Sequence, residues 1–182
     1  MVQIFTVLLL ALLLSGCASQ PAPDDPAFYR SHPELELAST WKVTGKIGIK
    51  SSQGGANMGF VWKQMPGEYQ IVLTGALGTG IANLVGDSHL VKLTLPGGEE
   101  YQSSNINDLL LSQLGYSLPV SQLHYWVRGI PDPQYVYKAN RSGFRQQGWL
   151  VTYKKSDATG PLKIQIEQDS TRVKLVALQW EY

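Results

Sequence analysis

Trp41-Lys42-Val43-Thr44-Gly45-Lys46-Ile47-Gly48-Ile49-Lys50 reads with a period of two. Trp41, Val43, Gly45, Ile47 and Ile49 share one face; Lys42, Thr44, Lys46 and Lys50 share the other. Successive side chains of a β-strand point to opposite sides. The stretch is therefore a strand that is buried on one face and wet on the other. The pattern repeats outward from it. Gln53-Gly54-Gly55 turns the chain, and Ala56, Met58, Phe60 and Trp62 line one face of a second strand. Met65-Pro66-Gly67 turns it again, and Tyr69, Ile71 and Leu73 line a third. Further short strands are expected at 81–85, 90–95 and 99–103, each bounded by Gly, Pro or Asp.

The middle of the chain changes period. Ile106, Leu109, Leu110, Gln113 and Leu114 recur at helical spacing, with Asn105 as N-cap and Gly115 as the stop. Pro119 opens a second short helix, in which Val120, Leu123, Tyr125, Trp126 and Val127 crowd together. Upstream, 28–39 is expected to form a short helix with Pro33 in its first turn. Strands resume at 135–139, 143–147 and 149–155, the last with Trp149, Val151 and Tyr153 on one face. Leu162, Ile164 and Ile166 alternate with Lys163, Gln165 and Glu167. In the last strand Val173 and Leu175 are out of phase with Val176, Leu178 and Trp180, which predicts a β-bulge near Leu175. About ten antiparallel strands and two or three helices make a mostly-β, α+β fold. A closed barrel, a sandwich, and a curved sheet with helices on its concave side all satisfy the pattern.

The 182 residues are enough for one domain with a tail, and 43% hydrophobic content suits a packed core. Fifteen Lys and Arg against fourteen Asp and Glu leave a net charge of +1, no basis for binding nucleic acid. The single Cys excludes an intrachain disulfide and a Cys-based metal cluster. Residues 1–16 carry no charge and contain the apolar run Ile4-Phe5-Thr6-Val7-Leu8-Leu9-Leu10-Ala11-Leu12-Leu13-Leu14. That run is shorter than the ~20 residues of a spanning helix and has the length of a signal-peptide core. Leu14-Ser15-Gly16-Cys17 matches the bacterial lipobox, so Cys17 is expected to carry lipid at the N-terminus of the mature chain. Lipoproteins that this one resembles stay at the inner membrane when Asp follows the Cys; Ala18 implies the outer membrane. Residues 17–26 read as the lipidated Cys and a Pro-rich extended tether, and 27–182 as one domain.

Catalysis has little support. His32, His89 and His124 stand at no metal-ligand spacing, and there is no G-x-S-x-G elbow. No catalytic residue, metal or cofactor is assigned. Gly75-Ala76-Leu77-Gly78-Thr79-Gly80 has the look of a phosphate loop, but a strand follows it and no helix N-terminus is on offer. Its oddity is Leu77, one large apolar side chain among glycines at an expected hairpin tip, where polar residues are usual. Leu77 either folds back over the core or projects as an apolar probe.

Several stretches together resemble the LolB family of outer-membrane lipoprotein receptors. They are the lipobox Cys17, Trp41-x-x-x-Gly45-x-Ile47, and Phe60-Val61-Trp62-Lys63-Gln64. Leu73-Thr74-Gly75-Ala76-Leu77-Gly78 is similar to the family's protruding loop. Gly115-Tyr116-Ser117-Leu118-Pro119-Val120 and Tyr125-Trp126-Val127-Arg128-Gly129-Ile130-Pro131 are similar to its central helical segment, and Gln147-Gly148-Trp149-Leu150-Val151-Thr152-Tyr153 to a late strand. The resemblance spans 17–180. It implies an incomplete, half-open antiparallel β-barrel of about eleven strands, with a few short helices covering an apolar cavity. It implies a lipid-anchored monomer on the periplasmic face of the outer membrane. Such a protein accepts acylated lipoproteins from the periplasmic carrier LolA and inserts them into the inner leaflet. It makes Gly75, Ala76, Leu77 and Gly78 a membrane-insertion loop, with Ala76 where the family often has Pro.

The physics of such cargo is demanding. A triacylated lipoprotein exposes roughly 45 methylenes, which cost on the order of 35 kcal/mol in water at ~0.8 each. An aromatic and aliphatic concave face would shelter them. The expected lining is Trp41, Ile47, Ile49, Met58, Phe60, Trp62, Tyr69, Ile71, Leu73, Trp126 and Trp149. With no nucleotide motif in the sequence, transfer would run downhill in affinity from carrier to this chain to bilayer. Two other classes fit the same sequence: a structural or assembly lipoprotein with a filled core, and a module that binds free lipid.

Overall fold

The computed structural model describes residues 32–52, 54–116 and 118–182, with Ala177 and Leu178 described by their backbone alone. The expected signal peptide at 1–16, Cys17 and the expected tether at 17–26 lie outside the described residues. A short helix, α1 (Pro33–Leu37), has Pro at its first turn, where the missing N–H costs nothing. It is the described remnant of the helix expected over 28–39.

Six strands follow: β1 (Trp41–Ser51), β2 (Gly54–Met65), β3 (Glu68–Thr74), β4 (Gly80–Asp87), β5 (Val91–Thr94) and β6 (Glu100–Ser103). The chain then forms α2 (Ile106–Leu114) and α3 (Val120–Trp126). Five more strands complete it: β7 (Tyr137–Asn140), β8 (Gly143–Gln146), β9 (Trp149–Asp157), β10 (Gly160–Gln168) and β11 (Thr171–Glu181). All belong to one antiparallel sheet in the order β6-β5-β4-β3-β2-β1-β11-β10-β9-β8-β7. First and last strands in sequence thus meet in the middle, where β1 pairs with β11. The sheet does not close: β6 and β7 are its two edges. This is the incomplete barrel, and of the three architectures open to the alternation pattern it is the curved sheet with helices on its concave side.

The alternation in the sequence becomes alternation in burial. Trp41, Val43, Ile47 and Ile49 are buried, while Lys46 and Lys50 are exposed. Lys42 reaches Glu181 across the sheet at 2.8 Å on the wet face. Among the described residues, one hydrophobic core runs from Leu35 to Trp180. Gly45 permits a close approach: a Cβ there would run into the Val176 carbonyl and the Phe60 ring.

Two expectations shift. The bulge in β11 falls at Leu178, three residues beyond Leu175, because Thr44 pairs with Gln179 and Gly45 with Ala177. Strand β7 begins at Tyr137, two residues later than expected. Asp132 accounts for the delay: its Oδ1 accepts from Gln134 N and its carbonyl from Tyr135 N, holding 132–135 in a turn.

The helices sit where the sequence placed them. Asn105 Oδ1 accepts from Asn107 N at 2.9 Å and Asp108 N at 3.4 Å, capping α2. Gly115 ends it at φ +77°, its N–H donating to Leu111 O. In α3, Val120, Leu123 and Trp126 are buried.

Candidate functional site

The concave side of the sheet holds an apolar cavity. Strands β1 to β4 and β11 form one wall, through Ile47, Ile49, Met58, Phe60, Trp62, Ile71, Leu73, Leu84 and Leu175. The helical segment forms the other, through Ile106, Leu110 and Leu114 of α2, Tyr116, Leu118, and Val120, Leu123 and Val127 in and after α3. No charged side chain lines it. Its volume is about 60 Å³, room for a few water-sized groups.

Seven of the eleven expected lining residues border this cavity: Ile47, Ile49, Met58, Phe60, Trp62, Ile71 and Leu73. Four do not: Trp41, Tyr69, Trp126 and Trp149. Trp41 is the first residue of β1, at the end of the barrel. There Trp62, His124 and Trp180 pack round it at ring separations of 5.4, 5.7 and 5.9 Å. Trp126 is fully buried but turns toward β8, where it stacks edge-on against Phe144 and donates to Gln146 Oε1 at 2.8 Å. Tyr69 is half-buried and borders a polar cleft, as does Trp149 on the other side of the helices. Alternation assigns a side chain to a face of the sheet but not to a height along the barrel, and these four lie above or beside the cavity. Leu84 and Leu175 are lining residues that the expectation missed, though both sit on apolar faces of expected strands. The helical wall was visible as the stripe Ile106, Leu110, Leu114, but a stripe does not say which strands it faces.

The loop between β3 and β4 is a closed tip. Gly78 N donates to Gly75 O at 3.0 Å and Gly75 N donates to Thr79 O at 2.8 Å. Gly78 takes φ +77°, a conformation costly for other residues. Neither Ala76 nor Leu77 has positive φ, so the tip is a type I turn followed by a left-handed glycine. Leu77 does not fold back: it is 93% exposed. The register places this tip at the end of the barrel opposite Trp41 and Trp180.

At the Trp41 end, α3 brings His124 into the aromatic cluster. His124 Nδ1 lies 3.1 Å from Gln64 Oε1, and Nε2 lies 3.4 Å from Arg128 Nη2. Because the guanidinium can only donate, Nε2 accepts and Nδ1 carries the hydrogen. Burial, and then the Arg128 charge, push the His124 pKa down to about 4. Arg128 is buried too. It donates to the carbonyls of His124 and Glu36 and lies over the Trp41 and Tyr125 rings. It thereby ties α1 to the end of α3.

Such a site can shelter hydrocarbon. Among the described residues no group of three or more His, Cys, Asp and Glu is placed to hold a metal.

The chain matches the family model "Outer membrane lipoprotein LolB" over residues 39–180. It is 34% identical over 194 residues to the outer-membrane lipoprotein LolB of Chromohalobacter salexigens, an alignment covering 98% of this chain and 90% of that one. It is 33% identical to the LolB of Cellvibrio japonicus, covering 95% of each. Among solved structures, a DUF1329 family protein from Desulfovibrio piger shares the fold alone, with a TM-score of 0.55 at 8% identity over 86% of this chain and 92% of that one. The family match takes in the whole sheet from β1 into β11, both cavity walls and the Leu77 tip, and the chain belongs to the LolB family of outer-membrane lipoproteins.

Proposed function

We propose that this chain takes acylated lipoproteins from a LolA-type periplasmic carrier into its apolar cavity and inserts them into the inner leaflet of the outer membrane. It acts as a monomer, held at the periplasmic face by lipid on Cys17. The observation that carries the reading is a cavity with wholly apolar walls inside a sheet that stops short of closure. Soluble domains ordinarily fill such a space with their own side chains. The family's named relatives support the outer-membrane location.

The cavity of about 60 Å³ is far smaller than three acyl chains, so loading widens it. The helical wall is the part that yields, since α2 and α3 take no part in the strand ladders. Leu77 then serves delivery. At a closed tip it gains nothing from burial within its own chain, and its side chain is matched to the hydrocarbon of a bilayer.

The test mixes the chain from Ala18 onward with a LolA-type carrier loaded with a lipoprotein and follows the cargo by pull-down. Movement of cargo to this chain is expected. A folded chain that leaves the cargo on the carrier would sink the reading.

A further inference from the structure

Four of the five Trp side chains are buried or belong to the core wall, and two of them are chemically incomplete. The indole of Trp126 donates to Gln146 Oε1 at 2.8 Å and that of Trp180 to Pro161 O at 2.9 Å. The Nε1–H groups of Trp41 and Trp62 are buried and have no acceptor among the described residues. A buried indole N–H normally finds a partner, because it loses its hydrogen bond to water on burial. Neighbouring groups are already engaged: Gln64 Oε1 faces His124, and Gln64 Nε2 donates to the Met65 and Glu68 carbonyls.

Trp41 and Trp62 lie 5.4 Å apart; Trp41 is 1% exposed and enclosed by rings, whereas Trp62 borders open space. It lines the apolar cavity. It also lines a polar cleft of about 650 Å³ between the β2–β3 turn, the β4–β5 turn and the helices. Trp62 therefore stands where a space suited to hydrocarbon meets a space suited to polar groups. In an acylated molecule that boundary is the carbonyl of the ester or amide link. A carbonyl oxygen is an uncharged acceptor, the complement of an uncharged N–H in an apolar wall. Charge narrows the class further. The cleft is lined by Glu68, Asp87 and Asp132 and by no Lys or Arg, which disfavours the free carboxylate of a fatty acid.

We propose that the Trp62 Nε1–H is the donor for the ester or amide carbonyl of an acyl chain seated in the cavity, with the polar remainder of the ligand in the cleft. The inference rests on the lipoprotein-accepting reading above and adds the point at which the ligand is gripped. Trp41, unpaired but walled in, has no such role.

The test uses the chain from Ala18 onward and two probes that differ in one carbonyl: 1-palmitoyl-glycerol and its ether analogue 1-O-hexadecyl-glycerol. A synthetic triacylated lipopeptide is measured beside them. The ester is expected to bind about tenfold more tightly than the ether, the effect of one desolvated hydrogen bond. Trp62→Phe is expected to reduce that ratio to within about twofold, the ratio being read because the smaller ring alters the wall for both probes alike. Should the variant fail to fold, the Trp62 indole proton is followed by NMR in the unaltered chain, where it moves downfield with the ester and not with the ether. Equal binding of ester and ether by the unaltered chain, or an ester preference that survives in Trp62→Phe, overturns the inference. If the lipopeptide still binds, the receptor reading stands without it. If none of the three probes binds, both fall.

Discussion

Leu77, Gln146 and His124 show three ways in which one side chain can matter here. Leu77 is exposed and contributes nothing to the core. Leu77→Glu is therefore expected to leave the unfolding free energy within about 0.5 kcal/mol of the unaltered chain. Delivery of lipoprotein to the outer membrane should be blocked, and normal incorporation by the variant would contradict the role of the tip. Gln146 is the reverse case. It is buried, and its amide makes four hydrogen bonds: Oε1 accepts from Trp126 Nε1 and Asp132 N, and Nε2 donates to Asp132 O and Tyr135 O. Gln146→Leu strands Trp126 Nε1, Asp132 N and Tyr135 O, and leaves Asp132 O with Tyr135 N alone, so urea unfolding should show a loss of about 3 kcal/mol. His124 is held neutral, with its folded pKa pushed down to about 4 from an ordinary 6.5. Between those values the unfolded chain binds more protons than the folded one, so stability rises with pH across the window and falls on acidification. The effect is on the order of 3 kcal/mol between pH 7 and pH 4. Urea midpoints across that range should flatten in His124→Gln. Of these residues only Leu77 drew attention in the sequence, because glycines surround it. Gln146 and His124 are ordinary letters there: the partners of Gln146 stand 11 to 20 positions away, and the Gln64 amide that faces His124 stands 60 away.

Among the elements, α2 was the most legible. Its apolar stripe, its Asn cap and its glycine stop are all local features, and the helix forms within the bounds they set. Asn105→Ala should destabilise the chain by about 1 kcal/mol, measured by thermal or urea unfolding. Because α2 forms part of the cavity wall, the same change should speed the release of a bound acyl probe, read by stopped-flow fluorescence. Strands were legible where alternation was long, as in β1 and β2. They were less so where the local hydrogen-bonding of Asp132 competed with the ladder, which delayed β7. The bulge of β11 was visible as a phase slip, but its position at Leu178 was set by pairing with Thr44 and Gly45 on β1. A slip in one strand says that a residue is extra; the partner strand says which one.

On the scale of the molecule, the start of the described chain and the Leu77 tip lie at opposite ends of the sheet. Residue 32, where the described chain begins, precedes α1, and Leu35 of α1 lies against the Gly160 and Trp180 end of the barrel. Leu77 is at the other end. The cavity lies wholly within 32–182. Replacing Cys17 so that no lipid is attached should therefore leave cargo binding intact in a pull-down while lowering delivery to the outer membrane. Loss of cargo binding in that form would contradict the assignment of binding to the sheet. The sequence by itself determined that the chain is a one-sided β-sheet with two or three short helices. It also marked an apolar residue between glycines at a tip and a Cys in a lipobox. These are legible because each rests on the spacing of neighbours along the chain. Only the tertiary structure decided that β1 pairs with β11 and that the sheet stays open between β6 and β7. It alone decided which buried side chains surround a cavity and which pack solid. The seam of the sheet joins residues more than a hundred positions apart, and the cavity brings strand residues against helix residues tens of positions away. Periodicity gives the direction in which a side chain points and carries no information about what it meets.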